Sequence, residues 1–409
     1  MEHENSYRHI LKWGDKREET VSRHMADVIK EKFGLTDEDF GQRHLPGTET
    51  VRLGKPSMLK PEQIEFLISI CGSENLLTDD LSRASFSCGK FYGELLDLRL
   101  GVVPDPPDAV VAPRSHEEVV RIVEYCSAEG IAVVPAGGLS SVTGAVRAPR
   151  GGIALDLTKH LNRILTINKV NKTVTVQAGM YGPSLEEELN RQGYSCGHFP
   201  QSFEYSTVGG WISARGAGQA STGYGKIEDM LVSLKAVTPA GVIETKDYPR
   251  TAQGWDLFRV FAGAEGTLGV ITEATLHIFN YAPENTASAA FIFRSFEAAV
   301  EAMRMIIQSE CGKPHLFRIS DPDETDIAFR TGGFDGTVAD RALQTLGFKP
   351  GSRCLMFVTV EGDKDYARFV LGKIKRNARA GKGMYIGRSP VRKWLEQRYS
   401  SAYMRDPLM

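Results

Sequence analysis

A chain of 409 residues that is 42% hydrophobic and 24% charged has room for two or three domains of ordinary globular composition. Its formal charge of −2 excludes a global electrostatic attraction to nucleic acid or to an anionic membrane. The six cysteines include no C-x-x-C pair, which excludes a zinc ribbon and a disulfide scaffold and predicts reduced thiols in a cytoplasmic protein.

The N-terminal stretch MEHENSYRHILKWGDKREE is polar and lacks the apolar core of a secretory leader. No run approaches the roughly 18 apolar residues of a membrane-spanning helix, and the closing RDPLM carries no lipidation or peroxisomal signal. Residues 1–105 read as a helical region, with ETVSRHMADVIKEKFG and PEQIEFLISICG placing apolar residues at helical spacing. The Pro-rich VVPDPPDA ends it.

Residues 106–282 alternate strand and helix signals. AVVAP (109–113) reads as a buried strand, and Ser115-His-Glu-Glu118 as a capping box. Val119, Ile122, Val123 and Cys126 then share one helical face, which stops before Gly130. IAVVP (131–135) is the next strand, so a β-α-β unit feeds a glycine loop. GIALDL, RILTI and KTVTVQA follow as short strands. A second capped helix is expected from Ser184, with Glu187 completing its box, to Gly193. LVSLKAV (231–237) and VIET (242–245) flank Thr238-Pro-Ala-Gly241, a hairpin by its turn chemistry. GVITEATLHIF (269–279) closes the region as a strand.

Residues 283–409 begin with the strand SAAFIF. Phe296, Val300, Met303 and Ile307 mark the apolar face of a helix, CLMFVTVEG (354–362) is a further strand, and a helix runs from about Asp363 to Arg379. The pattern predicts an antiparallel sheet with helices on one side. Lys373, Lys375, Arg376, Arg379 and Lys382 read as a solvated helix face.

Three glycine-rich segments carry the chemistry. Pro135-Ala-Gly-Gly-Leu-Ser-Ser-Val-Thr-Gly144 follows a strand and holds few bulky side chains. Its backbone N–H groups can converge on one concavity, as a pyrophosphate requires, with the hydroxyls of Ser140, Ser141 and Thr143 as further donors. The spacing fits neither the Rossmann nor the P-loop motif, and alone the segment reads equally as a turn without a ligand. In Gln201-Ser-Phe-Glu-Tyr-Ser-Thr-Val-Gly-Gly-Trp-Ile-Ser-Ala-Arg-Gly-Ala-Gly218 the pair Gly209-Gly210 allows close backbone approach. Arg215 there could offer a guanidinium to a phosphate or an adenine face, or be an exposed Arg at a tight helix start. Gly263-Ala-Glu-Gly-Thr-Leu-Gly-Val-Ile271 is the third, and alone it reads equally as a bulge or turn.

Together and in this order, the segments resemble the FAD-binding domain of the vanillyl-alcohol oxidase/p-cresol methylhydroxylase superfamily, and within it the alkylglycerone-phosphate synthase family. PAGGLSS is similar to that family's PIGGGTS, SFEYSTVGGWISARGAG to SLEFSTVGGWISTRASG, and GAEGTLGVITEATL to GSEGTLGVITEATI. Lys12-Trp13-Gly14 resembles the family's start. The resemblance implies an α+β fold: a PCMH-type FAD-binding domain of two subdomains over 106–282, then a partial α/β cap domain over 283–409. It implies FAD contacts at Pro135, Ala136, Gly137, Gly138, Leu139, Ser140 and Ser141. It implies others at Gln201, Ser202, Phe203, Glu204, Tyr205, Ser206 and Thr207. The third set is Ala214, Arg215, Gly216 and Ala217, and the last is Gly263, Ala264, Glu265, Gly266, Thr267, Leu268 and Gly269. Leu139 stands where the family has Gly, Gln201 where it has Asp, and Gly216 where it has Ala. Some members link FAD through a His of the first loop. No His lies between Gly130 and Lys159, so the FAD is expected to be non-covalent. His198 is expected to pack or hydrogen-bond rather than to catalyse.

In Leu316-Phe-Arg-Ile-Ser-Asp321, similar to the family's S-I-R-L-M-D, the resemblance makes Arg318 the counterpart of an activity-critical Arg. In Ala402-Tyr-Met-Arg-Asp406, similar to A-Y-I-R-D, it makes Arg405 the counterpart of a substrate-binding Arg. Both suit a substrate bearing phosphate, and both read alone as ion-paired surface arginines. The implied reaction replaces the acyl group of acyl-dihydroxyacetone phosphate by a fatty alcohol, in ether-lipid synthesis, without net redox change. Two alternatives stay open: an FAD-linked oxidase or dehydrogenase of a 2-hydroxy acid such as D-lactate or glycolate, and a non-catalytic flavin-binding fragment or subunit. The family's catalytic Tyr and triple-His segment would lie beyond Met409. No metal site and no general acid or base is therefore assigned. The expected partner is a phosphate- or carboxylate-bearing small molecule rather than nucleic acid, and a homodimer or a peripheral membrane contact through a lipid substrate fits the same resemblance.

Overall fold

Two sheets meet at one seam in the computed structural model, which describes residues 4–14, 20–40, 45, 47–248, 250 and 252–405. Residues 1–3 and 15–19 of the N-terminal stretch, and Asp406 to Met409 of the closing RDPLM, lie outside the described residues. The first sheet contains β1 (Leu76–Leu77), β2 (Ala109–Val111), β3 (Val133–Ala136) and β4 (Ile153–Asp156), in the order β1-β2-β4-β3. β4 runs parallel to both β2 and β3. β2 and β4 are buried at every position, which explains runs that are apolar rather than alternating. The helix His116–Glu129 makes the crossover. Ser115 caps it by accepting from the Glu118 N–H, Val119, Ile122, Val123 and Cys126 form its buried face, and Gly130 ends it in the left-handed region.

The second sheet is antiparallel. It contains β5 (Ile164–Asn168), β6 (Thr173–Gln177), β8 (Leu231–Thr238), β9 (Gly241–Glu244) and β10 (Val270–His277), in the order β5-β6-β10-β8-β9, while β7 (Tyr194–Ser195) pairs with β11 (Phe279–Asn280). The Thr238–Gly241 hairpin forms as expected, with the Thr238 hydroxyl donating to the Gly241 carbonyl at 2.9 Å. The helix expected from Ser184 instead spans Gly182–Arg191, with Tyr181 at its N-cap and Pro183 in its first turn. Pro183 presets the helical φ, and a bridge to Thr207 holds Tyr181 extended, so Ser184 falls inside the helix. One core joins both sheets, and Leu67, Ile70, Cys71 and Leu76 of the N-terminal region belong to it.

The third sheet, β12 (Ala287–Phe293), β13 (Phe317–Ser320), β14 (Cys354–Val360) and β15 (Met384–Gly387), is antiparallel in the order β13-β14-β12-β15. Two expectations fail here. Helices cover both faces, not one: Phe296–Gln308 and Lys364–Ala380 on one side, and Pro322–Thr331 and Ser389–Gln397 on the other. The helix Phe296–Gln308 also turns inward a different face from the one marked by Phe296, Val300, Met303 and Ile307, of which only Met303 packs against the core. It buries Ala299, Ala302 and Ile306, whereas Phe296, Val300 and Ile307 stay exposed. Small alanines let the helix lie close on the sheet and on its neighbouring helix, a packing gain that outweighs the area of the larger side chains.

All six cysteines are free, and all but Cys311 are buried. Burial pushes the Cys71 thiol up to about 11 and that of Cys126 to about 12, as suits structural rather than reactive thiols. No helix among the described residues is long and apolar enough to cross a membrane. No group of three or more His, Cys, Asp or Glu among them could hold a metal ion.

Candidate cofactor site

A cleft of about 360 Å³ opens where β3 and β4 of the first sheet meet β6 and β10 of the second. All seven residues from Pro135 to Ser141 line it, continuing through Val142 and Thr143. The loop is built to show backbone. Leu139 takes φ of 52°, and a Cβ on Gly138 would stand 2.8 Å from the Tyr205 carbonyl carbon and 3.0 Å from Ser206 Cα. No side chain fits there, so two segments meet by their main chains. The N–H groups of Gly137, Gly138, Leu139, Ser140, Ser141 and Val142 find no acceptor among the described residues. Such a row of unspent donors around a left-handed residue is an anion nest. The Ser141 carbonyl accepts from the Lys90 N–H at 2.6 Å, and its hydroxyl accepts from the Thr143 and Ala145 N–H groups. The Ser141 hydroxyl therefore shapes the loop, and Ser140 keeps its own without a partner among the described residues.

The second segment divides between cleft and scaffold. Ser202, Ser206 and Thr207 line the cleft. Thr207 caps the helix Val208–Ser213 by accepting from the Gly210 N–H, and Ser206 accepts from the Trp211 indole at 2.7 Å. Gln201, Phe203, Glu204 and Tyr205 do not line the cleft. Gln201 donates to the Arg398 carbonyl and Ser401, and Glu204 accepts from the Tyr403 hydroxyl at 2.7 Å. Phe203 stacks on Tyr399, and Tyr205 meets the edges of Trp13 and Tyr403. These four tie the segment to the last described helices and to the Lys12-Trp13-Gly14 stretch.

In the third segment Ala214 and Gly216 reach the cleft, while Arg215 and Ala217 do not. Arg215 takes φ of 53° and gives its Nε–H to Glu228 at 3.1 Å, so its guanidinium is a scaffold group and not a wall of the cleft. Burial opposes ionisation of Glu228, but Lys226, its own backbone N–H and Arg215 donate to the carboxylate and hold its pKa below the usual range. Behind this wall lies His198, fully buried, its ring edge-on to Trp211 with the two ring centroids 4.8 Å apart. Burial pushes its pKa down to about 4, so the imidazole is neutral; of the expected packing and hydrogen bonding, only the packing forms among the described residues.

Of the fourth segment, Glu265, Gly266 and Gly269 line the cleft; Gly263, Ala264, Thr267 and Leu268 do not. The Gly263 N–H donates to the Ile212 carbonyl and that of Glu265 to Ser213, both at 3.0 Å. Glu265 accepts from the Thr143 hydroxyl at 3.1 Å, closing first loop to last. Glu265 is the one charged residue of the lining among the described residues, and the remainder is small, apolar or hydroxylic. Leu157, Ala178, Trp211 and Ile271 also line it. Sequence reasoning did not single these out. Leu157 and Ala178 lie just beyond strand ends that converge only in the fold, while Trp211 and Ile271 stood inside quoted motifs.

Neither Arg318 nor Arg405 lines the cleft. Arg318, on β13, pairs with Glu324 and stacks over Trp394 at 5.0 Å. Arg405 donates to the Leu11 carbonyl at 2.8 Å and lies over the Trp13 ring at 5.7 Å. Trp13 in turn abuts Tyr205, so Arg405 is the arginine that packing connects to the cleft.

Comparison with known proteins agrees with this geometry. Residues 107–246 match the FAD binding domain family, and residues 282–389 match the FAD linked oxidases, C-terminal domain. The chain is 33% identical to the alkyldihydroxyacetonephosphate synthase of Dictyostelium discoideum over 378 residues, covering 88% of this chain and 60% of that protein. With the enzyme of the same name from Trypanosoma brucei brucei it shares 31% identity over 402 residues, covering 94% of this chain and 65% of the relative. A solved alkyldihydroxyacetonephosphate synthase superposes with a TM-score of 0.78 at 32% identity, covering 87% of this chain and 65% of that one. The chain thus spans somewhat less than two thirds of the relatives it matches.

Proposed function

This chain belongs to the FAD-linked oxidase family, with an FAD binding domain ahead of an FAD-linked oxidase C-terminal domain, and from that premise we propose that it is a flavoenzyme unit of the alkyldihydroxyacetonephosphate synthase type. The substrate class is a phosphate-bearing acyl ester of dihydroxyacetone, the second substrate a fatty alcohol, and the setting the cytoplasm. One observation carries the cofactor half of this reading: six consecutive residues that line the cleft, from Gly137 to Val142, have backbone N–H groups with no acceptor among the described residues.

The residues present fit FAD. Pyrophosphate oxygens would be held by those N–H groups and the Ser140 hydroxyl, and the small and apolar lining of Ala178, Trp211 and Ile271 would cover the ring systems. Bound flavin supplies an electron-poor ring able to accept electrons from substrate carbon. The chain's own residues bind it, orient it and exclude water from it. The described lining contains no His and no Cys, which supports non-covalent attachment. Arg405, braced against Trp13, is the proposed partner for substrate phosphate, and Arg318 a second cation for it once released from Glu324.

The test is a visible spectrum of the purified chain before and after acid precipitation, followed by turnover with acyl-dihydroxyacetone phosphate and a fatty alcohol. Flavin bands that leave with the supernatant, and alkyl transfer in the second assay, support the reading. Colour held in the pellet overturns non-covalent binding. Bleaching of the flavin by D-lactate or glycolate without an alkyl donor overturns the synthase reading in favour of a 2-hydroxy acid oxidase.

A further inference from the structure

His198 has a feature that packing does not explain. Its imidazole is fully buried, and neither Nδ1 nor Nε2 has a hydrogen-bond partner among the described residues. A neutral imidazole carries one donor and one acceptor, and leaving both unspent in the interior is costly, whereas a phenyl ring in the same seat would carry no such cost. Unsatisfied buried polar groups are few in folded proteins, and each asks for a reason.

The seat itself suggests the reason. The ring is pegged between two glycines of the segment that walls the cleft. A Cβ on Gly216 would stand 3.6 Å from Nε2, and one on Gly218 would stand 3.4 Å from Nδ1. The bare backbone of that segment is thus what the two nitrogens face. The same ring meets Trp211 edge-on. Trp211 and Gly216 both line the cleft, so His198 sits one layer behind the wall and touches two of its members.

We infer that His198 is a positioning residue for FAD: its imidazole registers the Trp211 ring and the Gly216–Gly218 backbone, and its two nitrogens find main-chain partners when the cofactor draws that segment inward. The polar ring is kept for the loaded state at the expense of the empty one. This rests on the cleft being the FAD site, and wild-type binding measured in parallel tests that premise separately.

The experiment compares His198→Phe and His198→Gln with wild type. FAD affinity is read by quenching of flavin fluorescence, and the melting temperature is read on the FAD-free chain. His198→Phe is expected to weaken FAD binding at least tenfold while leaving the FAD-free melting temperature unchanged or raised by about 2 °C. His198→Gln places an amide near the Nε2 position and is expected to bind within about threefold of wild type. A His198→Phe affinity within twofold of wild type overturns the inference, since packing alone would then suffice. Weakening in both variants, with a matching fall in FAD-free stability, overturns it as well. If His198→Phe does not fold, His198→Gln decides: retained affinity supports the role, and a tenfold loss ends it.

Discussion

Gly138 is the residue on which the first loop turns. Its position is fixed by two backbones in contact, and a methyl group there would fall against the Tyr205 carbonyl and Ser206 Cα. Neither neighbour is the end of a flexible side chain, so both main chains must shift. Gly138→Ala should therefore separate the N–H row of the first loop from Ser206 and Thr207, which line the cleft beside it. Overpacking of this kind costs about 1–3 kcal/mol. With half of that falling on the loaded state, FAD affinity drops roughly two- to tenfold. A fluorescence titration showing unchanged affinity in Gly138→Ala would mean that the two segments do not jointly hold the cofactor. The sequence made this glycine visible, because a loop of small residues after a strand has few other uses. It could not show that Arg215, the charged residue that looked best suited to a phosphate, is turned away and held by Glu228. Glu228 lies beyond the short helix Ser221–Tyr224, on a path that only the fold determines.

At the scale of elements, legibility followed the range of the interaction. The helix His116–Glu129, the strand runs and the Thr238–Gly241 hairpin rest on local rules, and they form where the sequence placed them. The helix Phe296–Gln308 has two candidate faces. Choosing between them requires knowing that a second helix and a sheet both press on the alanine side. The helices on the far face of the third sheet were unread because one of them, Pro322–Thr331, is strongly polar along its outer side. What fixes that helix is a buried charge. The Arg353 guanidinium lies under the Phe329 ring at 4.2 Å, pairs with Asp326 at 2.9 Å and with the fully buried Asp340. Arg353→Met leaves Asp340 ionised in the interior with only the Gly336 N–H and the Gln344 amide as donors. Removing one partner of such a pair costs about 3–5 kcal/mol. The double variant Arg353→Met/Asp340→Asn, with no charge left unpaired, should recover a large part of that loss. Urea denaturation of both variants measures it, and a single-variant loss below about 1 kcal/mol would show the pair to be unimportant to the cap.

At the scale of the whole molecule, the question is what holds the C-terminal unit against the FAD-binding unit. With the N-terminal region counted on the FAD-binding side, the contacts that do so among the described residues include three besides those of Arg405 with Leu11 and Trp13. The helix Arg23–Phe33 meets Pro322–Thr331 through Lys32–Asp323 and Glu31–Arg330. The segment Gln201–Tyr205 meets Tyr399 and Tyr403 through stacked rings and the Glu204 hydrogen bond. Tyr224, at the end of the helix Ser221–Tyr224, donates to Glu361 at 2.6 Å while its ring packs on Phe279 and His315. The first contact is made of solvent-screened pairs, which contribute little and fade with salt. The third is partly buried, and a hydrogen bond to a charged acceptor there is worth about 1.5–3 kcal/mol. A Cβ on Gly223 would stand 2.7 Å from His315 Cα, so the two units touch by backbone at this point. Tyr224→Phe keeps the ring and removes only the hydroxyl. It should leave each unit folded but loosen their docking, so that calorimetry shows the units melting at separated temperatures where wild type melts once. High salt, which weakens only the exposed pairs, should leave the wild-type transition single. A single, unshifted transition in Tyr224→Phe would place the docking energy in the stacked rings of Phe203 and Tyr399 instead, on the side of the molecule where Ser202 and Thr207 reach the cleft.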